Sequence, residues 1–193
     1  MTVLITGATG LVGQELVNLL LQNGHNVHYL STSKSKLVTN TNYKGFYWNP
    51  KKAEIDTNAL TDVEVIIHLA GANVAKKWTT AYKEEIIESR VLSTQLLYQT
   101  LQKNSHQVKQ IISASAVGIY PDSLTDIYHE TDLDIDVSFL GNVVKQWENE
   151  VSQFEKLEII VSKIRIGIVL AKNGGALQEM AKPIKYGVGA AFG

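Results

Sequence analysis

The residues best placed to do chemistry are the glycines of Gly7-Ala8-Thr9-Gly10-Leu11-Val12-Gly13. The first glycine permits a sharp turn after a strand. The second lets the backbone approach a pyrophosphate, and the third lets a helix pack closely on the strand. Free N–H groups and the positive end of the helix dipole then face the phosphates. A lone glycine pattern is weak evidence, but here an apolar run precedes it and a helical pattern follows, which is the context it requires. Gly7, Thr9, Gly10, Leu11, Val12 and Gly13 are therefore expected to hold a dinucleotide. The alternative is a strand-to-helix turn with a purely structural role.

The end of the second strand should choose between NAD and NADP. An acidic residue there binds ribose hydroxyls and repels a 2′-phosphate. This chain instead reads Ser31-Thr32-Ser33-Lys34-Ser35-Lys36, with no carboxylate. Hydroxyls and a lysine suit a phosphate, so Ser31, Thr32 and Lys34 predict NADP, with NAD less favoured. A polar loop of no consequence is the competing reading. Leu69-Ala70-Gly71 closes a later strand with small residues, which suits either a cofactor lying close to the backbone or simple loop punctuation.

These residues need elements to position them. Short apolar runs rich in β-branched residues alternate with stretches of helical period, the pattern of a parallel sheet covered by helices on both faces. Strands are expected over residues 2–6, 25–30, 45–48, 65–69, 110–113 and 158–168. Helices are expected after the glycine turn, from Thr80 to Lys103, and over residues 140–154. Right-handed crossovers then dictate a doubly wound α/β sheet, a Rossmann fold, with ligands at its carboxyl edge. Residues 1–170 form the expected dinucleotide-binding domain. Residues 171–193 read as the start of a second, substrate lobe that is cut short, ending in a tail with Gly187, Gly189 and Gly193.

Composition narrows the partners. The 193 residues are 45% apolar, enough for a buried core, and carry a formal net charge of −1. That balance gives no electrostatic reason to expect nucleic acid or an anionic membrane. Lysine pairs such as Lys51-Lys52 read as solvated surface. With no cysteine and five scattered histidines, no metal site is expected. No apolar stretch is long enough to cross a membrane, and the first strand leaves no room for a leader, so a soluble cytoplasmic protein is the simplest expectation.

Taken together, the glycine pattern, Leu69-Ala70-Gly71 and Ser113-Ala114-Ser115-Ala116 resemble the extended short-chain dehydrogenase/reductase superfamily. Further motifs narrow the resemblance. They are Lys77-Trp78-Thr79, Ser89-Arg90-Val91 with Thr94, Trp147-Glu148 and Arg165-Ile166-Gly167-Ile168-Val169-Leu170. With them the chain is similar to the atypical "epimerase family protein" group, of the NAD-dependent epimerase/dehydratase type, whose substrates are poorly defined. Members run to roughly three hundred residues, in line with an incomplete second lobe.

The superfamily implies a Tyr-x-x-x-Lys pair with a serine or threonine, the tyrosine exchanging a proton at the substrate oxygen. Ser115 matches the serine, though a strand-end hydroxyl bonded to backbone is its plainer reading. At the tyrosine and lysine positions stand Phe139 and Val143, which can neither exchange a proton nor hold a ribose hydroxyl. Tyr120 is the best substitute proton donor, or else an aromatic packed on a loop. Lys145, about 200° round the helix from Val143, should point away. Tyr128 and His129 should be solvent-exposed, and His68 should be a satisfied core histidine. Arg90 stands where relatives tend to carry asparagine. Its forked donors suit a phosphate or an acidic substrate, and equally a structural ion pair with Glu85 or a neighbouring loop. Trp147 and Glu148 read as a packing anchor and a helix-surface charge.

Two functions remain open. One is an NADP-dependent reductase or epimerase acting on an unidentified small molecule, with Ser115 polarising the substrate oxygen and Tyr120 delivering the proton. The other is a non-catalytic NADP-binding regulator or redox sensor. The long helix could also form a homodimer interface.

Overall fold

Strand β1 (Thr2–Thr6) is buried along its whole length. Alternation of side chains sends Val3 and Ile5 to one face and Leu4 to the other. In the computed structural model, which describes residues 1–172 and 174–188, both faces find a cover. On one side helix α1 (Leu11–Gln22) packs Val17 against Val3, Ile5, Val27 and Tyr29. On the other, Leu4, Ile66 and Ile111 meet Leu97 and Leu101 of helix α2 (Thr80–Lys103) and Phe154, which follows helix α3 (Phe139–Ser152). Each fully buried Leu or Ile contributes about 2 kcal/mol through the apolar surface it removes from water.

The remaining strands are β2 (Asn26–Ser31), β3 (Tyr43–Asn49), β4 (Glu54–Ile55), β5 (Val63–His68), β6 (Gln110–Ala116) and β7 (Ile160–Ile166). They join β1 in one sheet of order β4-β3-β2-β1-β5-β6-β7, parallel except for the antiparallel edge pair β3–β4. The chain turns to opposite sides of β1 to make β2 and β5. The connections that follow β1 and β5 thus start from neighbouring carboxyl ends, at Gly7 and Leu69, and the space beyond those ends is the usual ligand position in such sheets. A doubly wound α/β fold is what the alternating pattern predicts.

Several boundaries differ from the sequence expectations. β4 is too short to show a period. β6 runs three residues beyond the expected Ser113, because Ala114, Ser115 and Ala116 keep pairing with β7. β7 is shorter at both ends than the expected 158–168, and the loop from β2 to β3 carries a single 3-10 turn, Lys34–Lys36. After β7 come a small hairpin, β8 (Leu170–Ala171) with β9 (Gly174–Gly175), and helix α4 (Ala176–Lys185). Gly187 adopts φ +72, whereas Gly189 and Gly193 lie outside the described residues. Among the described residues no helix is long and apolar enough to cross a membrane.

Candidate functional site

The turn between β1 and α1 is shaped by what glycine lacks. Gly7 has φ +73, and a Cβ there would stand 2.9 Å from the Leu69 carbonyl carbon and oxygen. On Gly13 a Cβ would be 2.2 Å from the Gly7 oxygen, so α1 sits directly on the turn. Gly10 donates its N–H to the Gly7 oxygen at 2.9 Å, and otherwise faces open space. The Thr79 and Ser138 hydroxyls cap α2 and α3, but among the described residues no side chain caps α1. Its first-turn amides and positive dipole end thus have no side-chain acceptor among the described residues, a geometry that suits an anion. These residues fit a pyrophosphate. Leu11 lies under the β8–β9 hairpin, where a Cβ on Gly174 would stand 3.2 Å from its side chain. Val12 is half-buried beside it.

A cavity of about 470 Å³ opens beside this turn, with Gly7, Thr9, Ala70 and Gly71 on its floor. Ser31, Thr32, Ser33 and Lys36 line one part, and Lys51, Glu85 and Glu88 another. Ser31 Oγ accepts the Ser33 N–H at 3.2 Å, which folds the loop back on itself. Lys34 is not among the lining residues; its Nζ lies over the Tyr47 ring, 4.9 Å from the centroid. Lys36 and Lys51 reach the cavity instead. Lys51, expected to be plain solvated surface, pairs with Glu85 at 2.5 Å and Glu88 at 3.1 Å. Hydrogen bonds to Glu85 and then Glu88 raise its pKa.

A buried polar chain fixes the crevice from below. Thr6 Oγ1 accepts the N–H groups of Leu69 and Ala70, each at 3.1 Å, so its own proton goes to His68 Nδ1 at 2.7 Å. His68 therefore carries its hydrogen on Nε2 and donates it to Thr94 Oγ1 at 3.0 Å. Thr94 donates in turn to the Arg90 carbonyl at 2.7 Å. Burial, and then the nearby Arg90 charge, push the His68 pKa down to about 4. The expected satisfied core histidine is thus also the tie between β1, β5 and α2.

Arg90 donates to the carbonyls of Ile86 and Ala72 at 3.0 and 3.3 Å, and its guanidinium lies over Trp147 at 5.2 Å. Among the described residues no carboxylate pairs with it. Of the structural alternatives, the ion pair with Glu85 is therefore corrected, since Glu85 is taken by Lys51, while the contact with a neighbouring loop is present at the Ala72 carbonyl. Desolvation lowers the Arg90 pKa. A Cβ on Gly71 would stand 3.0 Å from the guanidinium carbon, so this largely buried cation lies directly behind the cavity floor.

Ser115 and Tyr120 belong to a second cluster. Ser115 Oγ makes a short hydrogen bond to Glu148 Oε1. Arg165, paired with Ser115 across β6–β7, grips the same carboxylate through Nε at 2.9 Å and Nη2 at 3.0 Å. Its Nη1 donates to Tyr120 Oη at 2.5 Å, while Tyr120 donates to the His129 carbonyl at 3.0 Å. Burial works to raise the Glu148 pKa, but hydrogen bonds from Arg165 and Ser115 outweigh it and hold the carboxyl below its ordinary value. The expected helix-surface charge is wrong for Glu148, which is 7% exposed. The helical spacing could not show it, because its partner lies on a strand 17 residues later. Trp147 is the buried anchor expected.

Phe139 meets the Trp78 ring edge-on at 5.4 Å with Lys83 Nζ over its face at 5.1 Å, and Val143 is 2% exposed. Lys145 is exposed, His129 is exposed, and Tyr128 stacks on Tyr120 at 5.0 Å. Among the described residues no group of three or more His, Asp or Glu is placed to hold a metal.

Residues 3–138 match the model of the NAD dependent epimerase/dehydratase family. The chain belongs to that family. An epimerase family protein of Staphylococcus aureus is 36% identical over 98% of this chain and 62% of its own length. The chain thus spans less than two thirds of the curated relatives it matches. Human epimerase family protein SDR39U1, solved with NADPH, superimposes with a TM-score of 0.79 at 27% identity, covering 100% of this chain and 62% of that one. A nucleoside-diphosphate sugar epimerase of Corynebacterium glutamicum does so with 0.79 at 30% identity, over 100% of this chain and 39% of its own. The epimerase/dehydratase fold therefore extends past the matched residues through β7.

Proposed function

We propose that this member of the epimerase/dehydratase family binds NADP and, as a reductase or epimerase, turns over a small carbonyl- or hydroxyl-bearing molecule. The observation that carries the reading is the uncapped start of α1 at Gly10, beside a cavity whose β2 end bears Ser31, Thr32, Ser33 and Lys36 and no acidic residue. Gly7, Gly10 and Gly13 bring backbone to the pyrophosphate, with Thr9, Leu11 and Val12 around it. Leu69, Ala70 and Gly71 line the ribose side, and the unmatched Arg90 guanidinium adds positive potential behind them. Lys34 contributes charge near the loop, although its ammonium rests on Tyr47. The NADPH bound to the human relative supports the same choice of cofactor.

When bound, the nicotinamide supplies hydride chemistry. The protein's part is to place hydroxyls, and Ser115 and Tyr120 are our candidates. Glu148 accepts the Ser115 hydroxyl proton and the His129 carbonyl accepts that of Tyr120, whose oxygen Arg165 holds, so each proton must turn to serve a substrate oxygen. Residues 171–193 begin the substrate lobe in this reading, the protein is cytoplasmic, and α2 is the surface for a homodimer. One observation favours a second reading, a non-catalytic NADP-binding regulator. The family positions for the tyrosine and lysine are filled by Phe139 and Val143, which pack as apolar residues.

Calorimetric titration with NADPH and NADH tests the cofactor. Tighter NADPH binding, abolished in Gly10→Glu, is the expected result, and equal or preferred NADH binding refutes the NADP assignment. Ser115→Ala and Tyr120→Phe test the roles in turnover; activity unchanged in both shifts the case to the regulator.

A further inference from the structure

Two demands meet on the ammonium of Lys51. The residue follows Pro50 in the turn after β3, and its Nζ lies 2.5 Å from Glu85 Oε2 and 3.1 Å from Glu88 Oε2. Glu85 and Glu88 are three residues apart on α2, so they share a face and one lysine reaches both. All three line the cavity that Ser31, Ser33 and Lys36 also line. One cation against two carboxylates leaves that wall with excess negative charge, which repels a phosphate while Lys51 stays where it is.

The arrangement is easily rearranged. The side chains of Lys51, Glu85 and Glu88 are 54%, 39% and 46% exposed, and ion pairs this wet stabilise a fold very little. A flexible lysine stem can turn its ammonium to a new partner. A phosphate monoester, with close to two charges and three acceptor oxygens, competes well against a carboxylate. Lys34, whose ammonium lies over the Tyr47 ring, does not line the cavity.

We propose that Lys51 recognises the 2′-phosphate of the adenosine ribose, and that Glu85 and Glu88 hold it in reserve, setting how strongly phosphate is preferred over hydroxyl. The inference rests on the NADP reading above. A ligand with a free 2′-hydroxyl leaves the Lys51 ion pairs intact. A ligand with a 2′-phosphate draws Lys51 away and turns both carboxylates out to solvent.

The test titrates adenosine 2′,5′-bisphosphate and adenosine 5′-phosphate calorimetrically into the full chain and three variants. Lys51→Met should weaken the bisphosphate about tenfold, the scale of one charge-assisted contact, and leave the monophosphate unchanged. Glu85→Gln with Glu88→Gln should tighten the bisphosphate alone, and Lys34→Met should weaken it less than Lys51→Met does. If wild type prefers the bisphosphate and Lys51→Met keeps that preference, the Lys51 assignment is overturned and the NADP reading stands. If the carboxylate variant binds as wild type does, the reserve role is overturned. If wild type shows no preference for the bisphosphate, the NADP reading fails and takes this inference with it.

Discussion

His68 offers the sharpest test of how the crevice is held. Both lone pairs of Thr6 Oγ1 are used by backbone N–H groups, so its proton must point at His68 Nδ1. Protonating Nδ1 sets two hydrogens against each other, in a residue with no solvent exposure. The folded pKa of about 4 lies below the ordinary value of 6.5. The neutral form therefore contributes stability that is present above pH 6.5 and is lost as pH falls toward 4. Linkage between those two values gives a loss of about 2 kcal/mol from pH 7.5 to pH 5. Urea unfolding of wild type and His68→Gln at both pH values measures it. The variant should be less stable at pH 7.5 but should lack the histidine's share of the decline. If both proteins lose the same stability between pH 7.5 and pH 5, the buried neutral histidine is refuted.

Two further outcomes follow from the geometry. Gly13→Ala places a Cβ 2.2 Å from the Gly7 oxygen, so α1 must shift off the turn; NADPH affinity should fall by at least tenfold in calorimetry, an effect of about 1.4 kcal/mol or more. Glu148→Gln breaks a largely buried pair and should cost about 3 kcal/mol in chemical denaturation, whereas Glu148→Leu with Arg165→Met should recover part of that, because no unmatched charge remains. A double variant no more stable than the single one counts against that account.

Much of the architecture was legible because it depends on short-range regularities. Alternation in β1, the glycine spacing before α1 and the long period of α2 each satisfy a local rule, and each lies where the pattern predicts. Phe139 and Val143 were equally legible as unable to do acid–base chemistry, since that follows from residue type alone. Glu148, Lys51 and Lys34 were not. Glu148 was expected to be a helix-surface charge and Lys34 to meet a phosphate, while Lys51 is exposed as expected. What residue type and spacing could not show is the partner each takes from far along the chain. Glu148 is claimed by Ser115 and Arg165, Lys51 by two glutamates 34 and 37 residues away, and Lys34 by the Tyr47 ring.

The sequence by itself determined the doubly wound sheet, the turn at Gly7, Gly10 and Gly13, and the loss of the tyrosine and lysine. Backbone sterics and side-chain chemistry are properties of the residues themselves. Only the tertiary structure decided where charge goes. It paired Arg165 with Glu148, left Arg90 without a carboxylate among the described residues, and brought Lys51 to the cavity. The energy of a charge depends on distance and solvent exposure, and neither exists until the strands and helices have come together.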